Sequence, residues 1–170
     1  MLASVLNQKE KTLKIKEIIV VSDGSTDSTA SRVKSIKDKR IKIINDGKRL
    51  GQPARIGQML KVFKGDIFIL IDSDMILKDN LVFEKISSQF KTEKNVGLVC
   101  GETYPLPGRS FLEKAINNYR YARYEIEKKG LYDFGKTAYC AHAFLAYSKK
   151  FARSLSIPKY VLNPDAFSYF

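Results

Sequence analysis

Two aspartates, Asp72 and Asp74, directly follow the apolar run Ile67–Ile71. A run of branched and aromatic residues without polar alternation is typical of a strand buried on both faces, as in parallel α/β sheets. Ligands in such sheets bind outside the carboxyl ends of the strands, where paired carboxylates hold a hard divalent cation against phosphates. The sequence therefore predicts metal-assisted chemistry on a phosphorylated substrate.

The elements that must position these aspartates alternate along the chain. The sequence predicts strands over residues 17–21, 41–44, 67–71 and 96–100, with helical patterns between them. Strands separated by helices of this length indicate crossover units and a mostly parallel sheet. Beyond residue 107 we expect a long charged helix over 111–129, a strand over 137–146 and a short helix from about residue 149. The chain is therefore predicted to be α/β.

Composition limits the domain count and the partners. With 170 residues, of which 44% are hydrophobic, the chain is long enough for one domain with a sizeable core. The formal charge of +12 implies attraction to nucleotide phosphates, nucleic acid or an acidic membrane surface. Cys100 and Cys140 lie among apolar residues, which predicts core thiols in a reducing compartment rather than a disulfide.

Four short motifs occur in a characteristic order, namely VSDGSTD at 21–27, GQPAR at 51–55, DSD at 72–74 and PDA at 164–166. Together they resemble those of the family-2 inverting glycosyltransferases of the GT-A fold, over essentially the whole chain. The resemblance implies a three-layer α/β sandwich with a mostly parallel central sheet. It also implies a single domain, with a nucleotide-binding half at 1–104 and an acceptor-side half at 105–170.

The implied reaction moves a sugar from a nucleotide-sugar donor (UDP-, GDP- or dTDP-linked) to a glycan or lipid-linked acceptor, with inversion, in cell-envelope or polysaccharide biosynthesis. By resemblance, the segment containing Asp23, Gly24 and Ser25 recognises the nucleotide, and Asp23 accepts a hydrogen bond from the base. Arg55 would donate two parallel hydrogen bonds to the diphosphate, a geometry that lysine cannot match. The turn also has a structural interpretation, because Ser25 or Asp27 can cap the following helix.

The same resemblance assigns the metal and the base. Asp74 would be the ligand of Mg²⁺ or Mn²⁺, and Asp72 would lie near the ribose or the waters of the metal. A cation bridging a carboxylate and both phosphates stabilises the charge that develops on the leaving diphosphate. Asp165 matches the acid that takes the proton of the acceptor hydroxyl, although proline precedes it where the family usually has glutamate.

The resemblance further implies a shortened copy that lacks the first strand and the C-terminal region of the family. The absent strand would lie between the strands at 17–21 and 67–71, so two strand edges would be open. We therefore expect the isolated chain to bind donor weakly. An inactive fragment is an alternative interpretation of the chain.

Two other interpretations stay open at this point. A haloacid-dehalogenase-like phosphatase also ends a buried strand in Asp-x-Asp, but Ile76 stands where its pattern has threonine or valine. A non-catalytic basic binding module would explain the charge, yet the sequence has no groove-reading helix, which argues against nucleic acid. For the transferase we expect a cytoplasmic location, with contact to anionic lipid at the cytoplasmic face of the membrane as a hypothesis from charge.

Overall fold

The computed structural model describes residues 1–92, 95–133, 144–158 and 161. Strands and helices alternate through the first 100 residues, as predicted. A short helix precedes them, and the long helix, a strand and a last short helix follow. In chain order the elements are α1 (Leu2–Leu6), β1 (Ile18–Val21), α2 (Thr29–Ser35), β2 (Ile41–Ile44), α3 (Gln52–Val62), β3 (Ile67–Ile71), α4 (Val82–Thr92), β4 (Leu98–Cys100), α5 (Phe111–Asp133), β5 (Phe144–Ser148) and α6 (Lys149–Ser154).

The described strands form two separate sheets. β1 and β2 pair in parallel, from Ile18 opposite Ile41 to Val21 opposite Ile44. In the second sheet β5 lies between β3 and β4 and is antiparallel to both, so β3 and β4 run in the same direction. Among the described residues β1 and β3 are not paired. Among the described residues β1 and β3 thus each leave one edge unpaired, and the expected single sheet is split in two.

Side chains cover both faces of β3. Phe68 and Leu70 pack in a cluster with residues of α3, β5 and α6, among them Ile56, Leu60, Phe63, Tyr147 and Ala152. The alternate residues Ile67, Ile69 and Ile71 pack against the second cluster, whose buried members include Val5, Phe83, Ile86 and Phe144. The face with Phe68 and Leu70 is therefore buried as predicted, whereas Ile67, Ile69 and Ile71 on the other face are half-buried.

The N-terminal ends of β1 and β3 are held together by polar contacts. Lys16 Nζ lies 3.2 Å from Asp66 Oδ2. One residue further along, the Glu17 carboxylate accepts the backbone N–H of Lys64 at 2.6 Å. Because residues 16–17 precede β1 and residues 64–66 precede β3, the two strands begin at the same edge of the molecule.

The state of Cys100 and the apolarity of the helices bear on the redox and membrane environment of the chain. Cys100, at the end of β4, is disulfide-bonded, so the expectation of a core thiol is wrong for this residue. Cys140 lies outside the described residues. The longest helix, α5, leaves Phe111 89% exposed. Of the helices that the structure describes, neither α5 nor any other combines the length and the apolarity needed to cross a membrane.

Glu84 on α4 fixes the segment between α1 and β1. Its carboxylate accepts the N–H groups of Lys11 and Thr12, at 2.5 and 2.8 Å, and the Thr12 hydroxyl at 2.6 Å. These bonds, with the Thr12 side chain contributing most, lower the pKa of Glu84 to about 2. The ionised form of Glu84 therefore stabilises the folded chain.

Glu84→Gln tests this contact through its pH dependence. A carboxyl whose folded pKa is lowered stabilises the fold above its ordinary pKa, and the contribution is lost as the pH falls through the folded value. We expect Glu84→Gln to lower the melting temperature near pH 7 and to approach the parent as the pH falls toward 2. Circular dichroism melts between pH 2 and 7 measure this. Glu125→Gln, the same change on α5, is the control, and a deficit independent of pH would contradict the assignment.

Candidate functional site

The carboxyl ends of β1 and β3 open into one cavity of about 710 Å³. Asp23, just after β1, and Asp72, just after β3, both line it, together with Gln52 and Arg55 of α3. Three of the residues predicted to bind nucleotide are thus brought to the same cavity. Asp74 and Ser25 are exposed on the adjoining loops and do not belong to its lining.

The Asp23 carboxylate is held by three donors. Oδ1 accepts the Leu50 N–H at 2.7 Å and the Arg55 Nε–H at 2.8 Å, and Oδ2 accepts the Gly51 N–H at 3.0 Å. The hydrogen bond from Arg55 and those from the two backbone groups lower the pKa of Asp23 against the effect of burial. A carboxylate has about four acceptor sites. With its side chain 30% exposed, Asp23 can therefore accept one further hydrogen bond from a ligand.

Arg55 is 3% exposed and uses every donor within the protein. Besides Asp23, its guanidinium binds both carboxylate oxygens of Asp46, at 2.7 and 3.1 Å. The remaining N–H groups go to Gln58 Oε1 at 2.9 Å and to the Lys48 carbonyl. These partners account for all five guanidinium N–H groups. In this structure Arg55 therefore positions Asp23, and its contact with a diphosphate stays a prediction that requires one of these bonds to break.

Asp46 was not predicted to take part. It lies in an Asn-Asp-Gly turn that looks like any other turn in the sequence, so no signal in the chain distinguished it. Its carboxylate has a lowered pKa because of the hydrogen bonds from Arg55, and the effect is reciprocal, since Asp46 and then Asp23 raise the pKa of Arg55. All three groups are therefore charged at neutral pH.

Glycine is required next to Asp23 for a local reason. Gly24 has φ +70°, and a Cβ placed there would lie 3.1 Å from Cβ and 3.2 Å from the backbone N of Arg49. The loop after β1 thus approaches the loop before α3 more closely than a side chain permits. Ser25 remains exposed, while Asp27 accepts the N–H of Thr29, the first residue of α2, at 3.0 Å and so satisfies a free helix N–H group, as predicted.

Asp72 and Asp74 form a carboxylate pair for which the described part of the chain supplies no salt-bridge partner. Gln52 Nε2 lies 3.5 Å from Asp72 Oδ1. Burial, and then the charge of Asp74, raise the pKa of Asp72. An uncompensated pair of hard oxygen ligands is the chemistry that Mg²⁺ or Mn²⁺ requires.

The described residues contain no group of three or more His, Cys, Asp or Glu side chains that could enclose a metal. The pair could therefore hold a cation only together with water and substrate phosphates, the mode in which Mg²⁺ is usually bound. The residues present fit such a metal, because two carboxylates at a strand end supply the protein part of that coordination.

Comparison with known proteins decides the family. Residues 1–155 match Glycosyl transferase family 2. The chain belongs to this family. An uncharacterized glycosyltransferase of Haemophilus influenzae is 41% identical over 105 residues, covering 61% of this chain and 31% of that protein. The O-antigen chain rhamnosyltransferase RfbN of Salmonella typhimurium is 26% identical over 170 residues, covering 94% and 52%.

Among solved structures, the mannosyltransferase PcManGT of Pyrobaculum calidifontis has a TM-score of 0.67 at 18% identity, covering 98% of this chain and 45% of that one. The predicted GT-A fold is therefore confirmed. The family-2 chain spans about half or less of the length of these proteins. Membership of family 2 also argues against the phosphatase interpretation.

The described residues of the family-2 chain include only part of the predicted site. Asp165, expected to be the catalytic base, lies outside the described residues. Gln52 was missed, although it contacts Asp72 while the adjacent Gly51 binds Asp23. The start of α3 thus connects the carboxyl ends of β1 and β3. A polar residue before Pro53 carried no signal of this contact in the sequence.

Arg55→Ala tests whether the buried arginine positions the site. Its loss leaves Asp23 and Asp46 without their main partner, and breaking a buried ion pair costs about 3–5 kcal/mol. We expect the free energy of unfolding in urea to fall by that order, with Arg55→Lys intermediate because lysine lacks the planar fork. Arg32→Ala, on the exposed face of α2, is the control. Equal, small losses in both alanine variants would contradict the positioning role.

Proposed function

We propose that the family-2 chain forms the donor-binding part of an inverting glycosyltransferase. The observation that carries the proposal is the convergence of Asp23 and Asp72 on one cavity at the carboxyl ends of two strands. Ligands of α/β sheets bind at this position. Family membership supports a nucleotide sugar as that ligand. In this proposal residues 1–104 form the nucleotide-binding half and residues 105–170 the acceptor-side half.

Asp23 recognises the base in this proposal. Its free acceptor site would take the ring N–H of uracil or a similar base, and the three hydrogen bonds from the protein hold the carboxylate in place for it. Gly24 and Ser25 would contact the same part of the nucleotide. Arg55 acts mainly by orienting Asp23, and Asp72 lies toward the ribose.

Asp74, with Asp72, would hold Mg²⁺ or Mn²⁺ against the diphosphate. When bound, this metal stabilises the negative charge that the leaving diphosphate gains. The uncompensated charges of the two aspartates support the assignment, and the PcManGT structure was solved with GDP-Man and Mn²⁺. The choice between the two metals is left to experiment.

Asp165 would act as the base. Inversion by direct attack requires a carboxylate on the face of the sugar opposite the leaving group, where it takes the proton of the acceptor hydroxyl. The acceptor would be a glycan or a lipid-linked sugar, a class supported by the O-antigen rhamnosyltransferase among the relatives. The formal charge of +12 fits a cytoplasmic protein that contacts an anionic membrane surface.

Nucleotide titration tests the donor site. We expect UDP, GDP or dTDP to bind weakly to the isolated chain, and more tightly with Mn²⁺ than without it. Asp23→Asn should weaken binding of the preferred nucleotide about tenfold, because a charged acceptor is lost. Asp74→Asn should abolish the dependence on Mn²⁺ while leaving metal-free binding unchanged. Isothermal titration calorimetry measures both.

The matched control is Asp66→Asn, at the opposite end of β3, where the aspartate side chain is 76% exposed. It should bind nucleotide and Mn²⁺ like the parent chain. If none of the three nucleotides binds at millimolar concentration, or if Asp66→Asn loses as much affinity as Asp74→Asn, the proposed donor site is wrong.

A further inference from the structure

A second cavity lies between the segment that follows β4 and the first half of α5. Its volume is about 390 Å³, toward the lower end of the range of about 300–1,000 Å³ that is typical of small-molecule sites. It is lined by residues 104–108 of the segment and by Lys114, Asn117, Asn118 and Tyr121 of α5. We call this cavity the Tyr104 pocket. Its residues are separate from those that line the candidate donor cavity.

The pocket residues of α5 occupy one face of the helix. Positions 114, 117, 118 and 121 follow the spacing of three and four residues that places side chains on the same face. Tyr119 lies about 200° around the helix from Tyr121, since successive residues are about 100° apart. The side chain of Tyr119 is 67% exposed. The helix therefore presents one tyrosine to the pocket and another, two positions away, to the opposite side.

The segment 104–108 is connected to the start of α5 by hydrogen bonds. Ser110 and Glu113 form a capping box. The Glu113 N–H donates to Ser110 Oγ, and the Ser110 N–H donates to the Glu113 carboxylate, both at 3.1 Å. Asn117 Nδ2 donates to the Leu106 carbonyl at 2.7 Å. The two walls of the pocket are thus joined at the cap and again at Asn117.

Proline and glycine restrict the segment further. Pro105 and Pro107 have a fixed φ, which limits the conformations of the backbone between them. A Cβ at Gly108 would lie 2.7 Å from the backbone N of Lys114 and 2.8 Å from the carbonyl carbon of Glu113. A side chain at this position would therefore push the segment away from α5. A wall that is ordered before binding loses little entropy when a ligand enters.

The ring of Tyr104 is oriented by three contacts. Its hydroxyl donates to Glu102 Oε2 at 3.0 Å, and its centroid lies 5.6 Å from that of Tyr121 and 5.7 Å from that of Tyr124. Burial, and then the hydrogen bond to Glu102, raise the pKa of Tyr104 to about 12, so the phenol is neutral near pH 7. Tyr104 and Tyr121 are still 45% and 51% exposed. Both rings therefore keep accessible surface for a ligand.

The polar side chains of the pocket keep hydrogen-bonding capacity. The Asn117 amide donates to the Leu106 carbonyl, and its own carbonyl oxygen takes no donor from the described residues. Within the same part of the chain, the Asn118 amide, the Lys114 ammonium and the Tyr121 hydroxyl have no hydrogen-bond partner. Together these groups offer donors and acceptors in the same small space.

This combination of groups matches a pyranose ring. The axial C–H groups of a pyranose form an apolar face that packs against an aromatic ring, and the hydroxyls at its edge both donate and accept hydrogen bonds. A purely apolar ligand would leave the amides and the ammonium without partners. A proline-rich peptide also packs on tyrosine rings, but proline has no N–H to offer the asparagine oxygens. The pocket chemistry therefore favours a saccharide.

The pocket is close to the sheet edge that carries the candidate donor site. Leu145 of β5 lies opposite Leu70 of β3 on one side and opposite Cys100 of β4 on the other. The ends of β3 and β4 are thus two strand spacings apart, which is about 10 Å. β3 continues into the DSD motif, and β4 continues through residues 101–103 to Tyr104. The Tyr104 pocket therefore begins a few residues beyond the edge at which the aspartates lie.

We propose that the Tyr104 pocket binds one pyranose unit of a glycan. The C–H face of the sugar lies against Tyr104 and Tyr121, and its hydroxyls bind Lys114, Asn117 and Asn118. The pocket is then a saccharide subsite separate from the nucleotide cavity. Only the assignment of this glycan as the acceptor rests on the proposed function.

NMR of the whole chain with ¹³C-labelled tyrosine tests the proposal. The probes are the methyl glycosides of glucose, N-acetylglucosamine and rhamnose, and sorbitol is the control because it has the hydroxyls of a sugar without a ring face. At least one glycoside should shift the ring signals of Tyr104 and Tyr121 with an affinity in the millimolar range. The signals of Tyr119 and of the buried Tyr147 should stay in place, and sorbitol should shift none of the four.

Two substitutions test the residues of the pocket. Tyr121→Ala should weaken binding of the preferred glycoside about tenfold, because it removes a stacking surface. Asn118→Ala should weaken it about fivefold, because it removes a hydrogen-bonding amide. Asn118 is exposed on α5, so this variant keeps the test readable if Tyr121→Ala does not fold. Tyr119→Ala, on the opposite side of the same helix, is the matched control and should bind like the parent.

Three results would overturn the saccharide subsite. These are glycosides that shift Tyr104 and Tyr121 no more than sorbitol does, equal weakening by Tyr119→Ala and Tyr121→Ala, and a proline-rich peptide that shifts these signals where no glycoside does. Titration with UDP, GDP and dTDP separates this proposal from the proposed function. Nucleotide binding without glycoside binding overturns the subsite alone, and glycoside binding without nucleotide binding overturns the donor site alone.

Discussion

The arrangement of the candidate site depends on one buried guanidinium. Arg55, in the first turn of α3, binds the loop after β1 through Asp23 and the loop after β2 through Asp46. Burying a charge is expensive unless it is paired and fully hydrogen-bonded, and here every donor of Arg55 has an acceptor. The same helix contributes Ile56 to the core cluster that contains β3. α3 therefore orients the carboxyl ends of the parallel pair relative to the second sheet.

That connection matters because the two sheets share no hydrogen-bonded ladder among the described strands. At the opposite edge they meet through Lys16 and Asp66, whose side chains are 53% and 76% exposed. Exposed ion pairs of this kind contribute about 0–1 kcal/mol and are screened by salt. The association of the sheets thus rests on helix packing and on Arg55 rather than on backbone pairing, and a cavity lies between β1 and β3.

The sequence was informative where a local pattern determines the outcome. The apolar run before Asp72 predicted a strand at residues 67–71, and the turn after β1 predicted that Asp27 satisfies an N–H group at the start of a helix. The partner of Arg55 could not be predicted, because Asp46 is brought to it only by the pairing of β1 with β2. The antiparallel insertion of β5 between β3 and β4 was likewise beyond local patterns, since it depends on contacts between residues far apart in the chain. Cys100 was wrongly expected to be a thiol for the same reason.

The two acidic parts of the site differ in how they are prepared for a ligand. Asp23 is held by two backbone N–H groups and a buried arginine, so little reorganisation accompanies a further hydrogen bond to it. Within the described part of the chain, the Asp72 carboxylate has one hydrogen-bond contact, at 3.5 Å from Gln52, and its charge is opposed by burial and by Asp74. The first group is preorganised, whereas the second becomes favourable only when a cation offsets the repulsion. At the proposed donor site, base recognition would therefore depend on the packing of α3, and diphosphate recognition would depend on a charge that the ligand and its metal bring.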